Sequence, residues 1–201
     1  DGDLYLNMLD KIHQTGGKYA GVLWYQGCSD TNPGPAEKYL EHFREYVEAT
    51  RKELGYEIPF FTMQLNRQIN GINDECWGMV RDAQARAAKE IPGVSVLTTS
   101  NLSLCDGIHN TAQANVALGE KLAKQCAHVL NGKEEYQPPE LVKVERADEA
   151  ERKSFQLEGS GIWLKLTCDH VKNCFLVYSA VGKDSGFTLT DSEGKVEILH
   201  I

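Results

Sequence analysis

Apolar positions along the first two-thirds of the chain follow two alternating rhythms, one helical and one of short unbroken runs. Leu4, Tyr5, Met8, Leu9 and Ile12 fall at helical spacing, and Gly16-Gly17 marks the end of that helix. Residues 20–25 form a continuous apolar run, the pattern of a strand covered on both faces. A loop rich in turn residues follows at 26–34. Residues 35–54 place Tyr39, Leu40, Phe43, Tyr46, Val47 and Leu54 on one face of a long amphipathic helix, with Gly55 as its stop. Residues 60–65 read as the next strand and 66–74 as a polar loop. Residues 75–91 carry Trp77, Val80, Ala83, Ala87 and Ile91 at helical spacing, and Pro92-Gly93 ends that helix. Residues 94–97 predict a buried strand, and 112–130 a long helix.

This alternation predicts an α/β fold, a parallel sheet joined by right-handed crossovers with flanking helices. After Leu130 the pattern changes. Residues 133–140 form a linker whose Pro138-Pro139 pair is incompatible with a helix, which makes 1–132 the α/β domain. From 141 to 201 the runs 141–144, 162–166, 174–178, 187–189 and 196–199 read as short strands. Gly159-Ser160-Gly161 and Asp191-Ser192-Glu193-Gly194 serve as turn signals between them, the pattern of a small antiparallel β module.

Composition narrows the function classes. Net charge is −8, from 29 acidic against 21 basic residues, with no Lys/Arg-rich run, so neither a nucleic acid nor an anionic membrane surface is an expected partner. No apolar stretch reaches membrane-spanning length, and no charged-then-apolar leader opens the chain. The six cysteines lack CxxC pairs, which argues against a zinc site. Free buried thiols are the expectation, with Cys168 and Cys174 placed to bridge a hairpin.

The chemistry concentrates on loops at the carboxyl ends of predicted strands, where open α/β sheets place their sites. Asp106-Gly107-Ile108-His109 lies between the strand at 94–97 and the helix from 112. An Asp three residues before a His accepts a hydrogen bond from one imidazole nitrogen and leaves the other free as a base. Alone, the motif more often describes a capping Asp beside a surface His. A second motif, Trp24-Tyr25-Gln26-Gly27-Cys28-Ser29-Asp30, ends the strand at 20–25.

Together these two motifs resemble those of the SGNH-type sialate O-acetylesterase and acetylxylan esterase family, over about residues 4–130. The resemblance includes the Leu-Tyr opening of the first helix, the 80–84 segment, Val-Arg-Asp-Ala-Gln, and the helix at 115–123, and the module at 141–201 resembles the β-sandwich that accompanies bacterial members. It implies a flavodoxin-like sheet and hydrolysis of O-acetyl esters on a carbohydrate, without metal or organic cofactor. By the same resemblance His109 is the base, Asp106 its carboxylate partner, and Gln26 with the Gly27 backbone the oxyanion donors. Cys28 and Asp30 are candidates for the lining of the substrate pocket, with an inert thiol and a loop cap as the favoured readings.

Two departures qualify it. Cys28 stands where the family commonly has Glu, and a thiol orients a His only if its pKa is strongly lowered, so that role falls to Asp106. The family's Gly-Gln-Ser nucleophile turn is absent, and Thr31 removes the second Gly that a nucleophile elbow at Ser29 would need. The expectation is a C-terminal part of such an enzyme, inactive by itself, whose sheet is completed by a preceding segment or by self-association. A non-catalytic carbohydrate-binding or structural remnant is the alternative. Arg81, Gln84 and Asp30 are left between site and scaffold: a solvated face or local ion pair for the first two, and a loop cap for Asp30.

Overall fold

The computed structural model describes residues 2–16, 18–132, 140–154, 162–169, 189–191 and 194–196. The chain divides into two units, Asp1–Pro138 and Pro139–Ile201. In the first, α1 (Asp3–Thr15), β1 (Val22–Trp24), α2 (Pro35–Leu54), β2 (Phe60–Met63), α3 (Asp74–Glu90), β3 (Val94–Leu97) and α4 (Ala112–Leu130) alternate as the sequence predicts. Pro35 opens α2, and the Glu37 carboxylate accepts the Gly34 N–H at 2.8 Å. Gly55, at φ 75°, closes it in the left-handed conformation that a side chain disfavours.

The three strands form a parallel sheet in the order β1-β2-β3, with Val22 beside Phe60 and Phe60 beside Val94. Helices cover both faces because consecutive strand residues point to opposite sides. On one face Phe60 and Val94 meet Tyr39, Phe43 and Val47 of α2 and Trp77, Val80 and Ala87 of α3. On the other, Phe61, Met63 and Leu97 meet Ala114, Leu118 and Leu122 of α4. Phe60 and Phe61 are fully buried, each removing apolar surface worth about 1.5–3 kcal/mol from water.

The reading of β1 as covered on both faces is corrected. Leu23 is 59% exposed, because the α4 face of the sheet is covered over β2 and β3 and β1 is an edge strand. Free thiols are found, but none is fully buried: Cys28, Cys76 and Cys126 are half-buried, and Cys105 and Cys168 are exposed. Cys174 lies outside the described residues.

In the second unit β4 (Glu140–Arg146) pairs antiparallel with β5 (Leu164–Asp169), and β6 (Leu189–Asp191) with β7 (Gly194–Val196). The strand expected at 174–178 lies outside the described residues. A short helix not predicted, α5 (Glu149–Ser154), sits between β4 and β5. Asp148 and Glu151 bond reciprocally to each other's backbone N–H at 2.8 and 3.1 Å, a capping box that the spacing Asp-x-x-Glu already carried.

Among the described residues no helix is long and apolar enough to cross a membrane, and no group of three or more His, Cys, Asp or Glu side chains could hold a metal ion.

Candidate active site

Since the sheet is parallel, the loops after β1, β2 and β3 leave from the same end. The loop after β3 closes on itself before α4. Cys105 N–H donates to the His109 carbonyl at 2.9 Å and Thr111 N–H to that of Ser103 at 3.0 Å, around a bridge between Leu104 and Asn110. At its tip one Asp106 oxygen accepts the backbone N–H of His109 at 2.7 Å and of Ile108 at 2.8 Å. The other lies 2.7 Å from His109 Nδ1. The cap of α4 is Thr111, whose hydroxyl accepts from Ala114 N–H at 3.1 Å, so Asp106 serves the His and not the helix.

These bonds act on a carboxylate, the backbone N–H of His109 foremost, then that of Ile108, then the imidazole. They hold Asp106 down from 3.8 to about 2. A folded value below the unfolded one stabilises the charged loop above the unfolded pKa, and that contribution is lost as pH falls from about 4 to about 2. The Asp106 carboxyl carbon, followed by NMR, is expected to titrate near pH 2; a midpoint near 4 contradicts this geometry. At neutral pH the anion fixes Nδ1 as donor, and Nε2 is left without a protein partner among the described residues.

The loop after β1 builds the second element. Gly27 has φ 142°, and a side chain there would meet Gln84 Nε2 at 3.0 Å and Val80 Cγ1 at 3.1 Å. Its carbonyl accepts from Asp30 N–H at 2.9 Å in a short 3-10 turn, Cys28–Asp30, while its own N–H has no acceptor among the described residues. Asp30 does not cap α2, whose N-cap is Gly34. Its carboxylate accepts from the Gln26 side-chain amide and holds it in place. Burial pushes the Cys28 thiol pKa up, so it stays protonated, and it packs against the core.

Gln84 is fully buried, not on a solvated face. Its oxygen accepts Leu65 N–H at 2.7 Å, and its nitrogen donates to the Gln26 carbonyl at 2.9 Å and to Tyr39 Oη at 3.2 Å, binding the ends of β1 and β2 together. Arg81 turns inward too, donating to the Leu65 carbonyl and, at 2.6 Å, to Ser100 Oγ. Arg67 Nη1 donates to the Ser100 and Leu102 carbonyls at 2.7 and 2.8 Å. Among the five arginines of this unit, Arg44, Arg51 and Arg86 each have a carboxylate within 4 Å. Arg67 and Arg81 have none among the described residues.

Asn66, Arg67 and Asn110 lie beside these loops without a role assigned from the sequence, and Tyr25 entered only as part of the motif at 24–30. Asn66 carries the one available signal, a polar residue just after a buried apolar strand. Asn66 Nδ2 donates to Asn110 Oδ1 at 2.7 Å, and Asn110 Nδ2 to Tyr25 Oη at 3.0 Å, so the loops carrying His109 and Gln26 are joined. No described serine is hydrogen-bonded to His109. Ser100 Oγ receives Arg81, and Ser103 Oγ pairs with Thr111 at 2.7 Å.

Two solved structures resemble this chain. A protein from Arabidopsis thaliana is 27% identical, with a TM-score of 0.55 over 62% of this chain and 52% of that one. A carbohydrate acetylesterase from Xanthomonas citri is 25% identical, with a TM-score of 0.56 over 65% of this chain and 30% of that one. The chain thus spans about half of the first and under a third of the second. No curated protein matches it. The family model described as carbohydrate esterase, sialic acid-specific acetylesterase matches residues 1–128, which include both loops just described. With that match over most of its length, the chain belongs to this carbohydrate esterase family.

Proposed function

We propose that this α/β domain is the base-bearing part of an O-acetylesterase acting on a sugar, and that the serine nucleophile lies outside these 201 residues. The observation that carries the reading is the Asp106–His109 pair, its Nε2 unpartnered among the described residues, on the carboxyl end of the sheet in a domain of this family. His109 Nε2 takes the serine proton as the hydroxyl attacks the acetyl carbonyl, and returns it to the departing sugar oxygen. Asp106 fixes the tautomer and stabilises the imidazolium. Water, activated by the same nitrogen, then releases acetate. The Gly27 N–H, unbonded among the described residues, and the second N–H of the Gln26 amide serve the oxyanion, a side-chain donor there being worth about 3–4 kcal/mol. The segment carrying the serine pairs with the open edge of β1 and covers Leu23.

Between sialate and xylan esters, the arginines favour the acidic sugar. Arg67 and Arg81 are partly buried cations without a carboxylate among the described residues, in a chain whose net charge is −8. A ligand carboxylate would complete them, and a neutral acetylated xylan offers none. In the longer, serine-bearing protein, acetate release from O-acetylated sialic acid is expected to exceed that from acetylated xylo-oligosaccharides. Arg81→Gln is expected to reduce the former about tenfold or more while leaving the latter nearly unchanged. Equal loss on both substrates sinks the carboxylate reading, and no release from either sinks the esterase.

A further inference from the structure

We propose that Asn110 is a positioning residue for His109, its side-chain amide setting where the base stands relative to the Gln26–Gly27 segment; this rests on the esterase reading. The bonds inside the loop fix the Asp106–His109 pair internally but not its place on the sheet. The two side chains are 52% and 64% exposed, so packing does not place them either. The ties to the sheet come from elsewhere. Ile69 N–H donates to the Gly107 carbonyl at 3.0 Å, Ile108 rests against the α2/α3 core, and Asn110 bonds to three separate elements.

The Asn110 oxygen accepts from Asn66 at 2.7 Å, and its nitrogen donates to Tyr25 Oη at 3.0 Å and to Asn115 Oδ1, on α4, at 3.1 Å. Both N–H donors and one oxygen lone pair are therefore used, a set only a primary amide supplies at this length. Asp would lose both donors, and Ser would not reach.

The anchor is rigid. Asn66 is 1% exposed, its carbonyl receives Trp77 Nε1 at 2.7 Å, its side-chain oxygen receives Arg67 N–H at 2.7 Å, and its nitrogen also reaches the Leu102 carbonyl at 3.2 Å. On the other side Tyr25 directly precedes Gln26, so one amide joins the neighbour of the base to the neighbour of the oxyanion donors. A general base displaced by about 1 Å loses on the order of a hundredfold in rate, which makes such a tie catalytically significant without substrate contact.

Hydrogen exchange in this chain tests the tie apart from any turnover. Asn110→Ala and Tyr25→Phe are each expected to speed exchange of the Cys105 and Thr111 amides about tenfold, with the His109 Nδ1 proton still bonded to Asp106 by NMR. Tyr25→Phe removes a single oxygen and supplies the readout should Asn110→Ala fold poorly. In the longer, serine-bearing protein both variants are expected to lower kcat tenfold or more with KM within about twofold, and the double variant to be no slower than Asn110→Ala. Unchanged exchange in both variants overturns the proposal. So does faster exchange with unchanged kcat, or a double variant slower by the product of the single effects. Absence of turnover in the unsubstituted protein counts against the esterase reading and leaves the exchange result to decide the tie.

Discussion

Replacing His109 by alanine in the longer, serine-bearing protein is expected to lower kcat for acetate release by about 10⁴- to 10⁶-fold while the fold survives. The size follows from the role. In the proposed mechanism, loss of the imidazole leaves the serine hydroxyl with no acceptor for its proton and the leaving sugar alkoxide with no donor. The fold survives because the side chain is 64% exposed and bonds to Asp106, so its removal leaves the core packing as it was. Asp106→Asn is expected to cost about 10⁴-fold, since an amide presents the imidazole with the wrong tautomer while keeping the shape. Rates with a small acetyl ester, beside thermal melts of the same samples, check both. A His109→Ala variant within tenfold of the unsubstituted protein removes the base from the mechanism.

The largest structural effect is expected at Gly27. Gly27→Ala combines a φ of 142° with a Cβ 3.0–3.1 Å from Gln84 and Val80, both almost fully buried. Strain of about 1–3 kcal/mol from the backbone and a similar overpacking cost put the loss at about 2–6 kcal/mol. Gln84 cannot retreat freely, since it bonds to Leu65, Gln26 and Tyr39. Urea denaturation is the measurement, with Gly119→Ala as control. That glycine lies within α4 and a Cβ there meets nothing within 4 Å, so alanine is expected to gain about 0.5–1 kcal/mol. Similar effects at both sites would contradict the packing described for Gly27.

The helices were legible because their signals are local. Pro35 and Gly55 bracket α2, and apolar spacing placed α4 at Ala112–Leu130. The Asp106–His109 pair was legible for the same reason, its partners being three residues apart. Residues whose work spans the sheet were not. Asn110 meets Asn66 across 44 positions and Tyr25 across 85, and Gln84 meets Gln26 across 58. Sequence spacing carries no trace of such pairs until the parallel register brings the strand ends together. Gln84 falls between Trp77, Val80, Ala87 and Ile91 on the apolar stripe of α3, so helical spacing carried its burial, and only its polar side chain drew it toward the solvated reading; Arg81 stands at the edge of that stripe. In the structure they turn toward strand-end backbone groups that need donors and acceptors. Leu23 illustrates the opposite error: a continuous apolar run looks doubly covered, whereas the exposure of an edge strand depends on its neighbours.

In the proposed function these residues complete an esterase whose serine lies outside the chain. Acetate release from an O-acetylated sugar, measured with the 201-residue chain and with the same chain extended upstream to include the serine-bearing segment, decides that assignment. Turnover by the extended protein alone, lost with His109→Ala, is the expected result. Turnover by the 201-residue chain itself, or turnover by the extended protein that survives loss of His109, would contradict it.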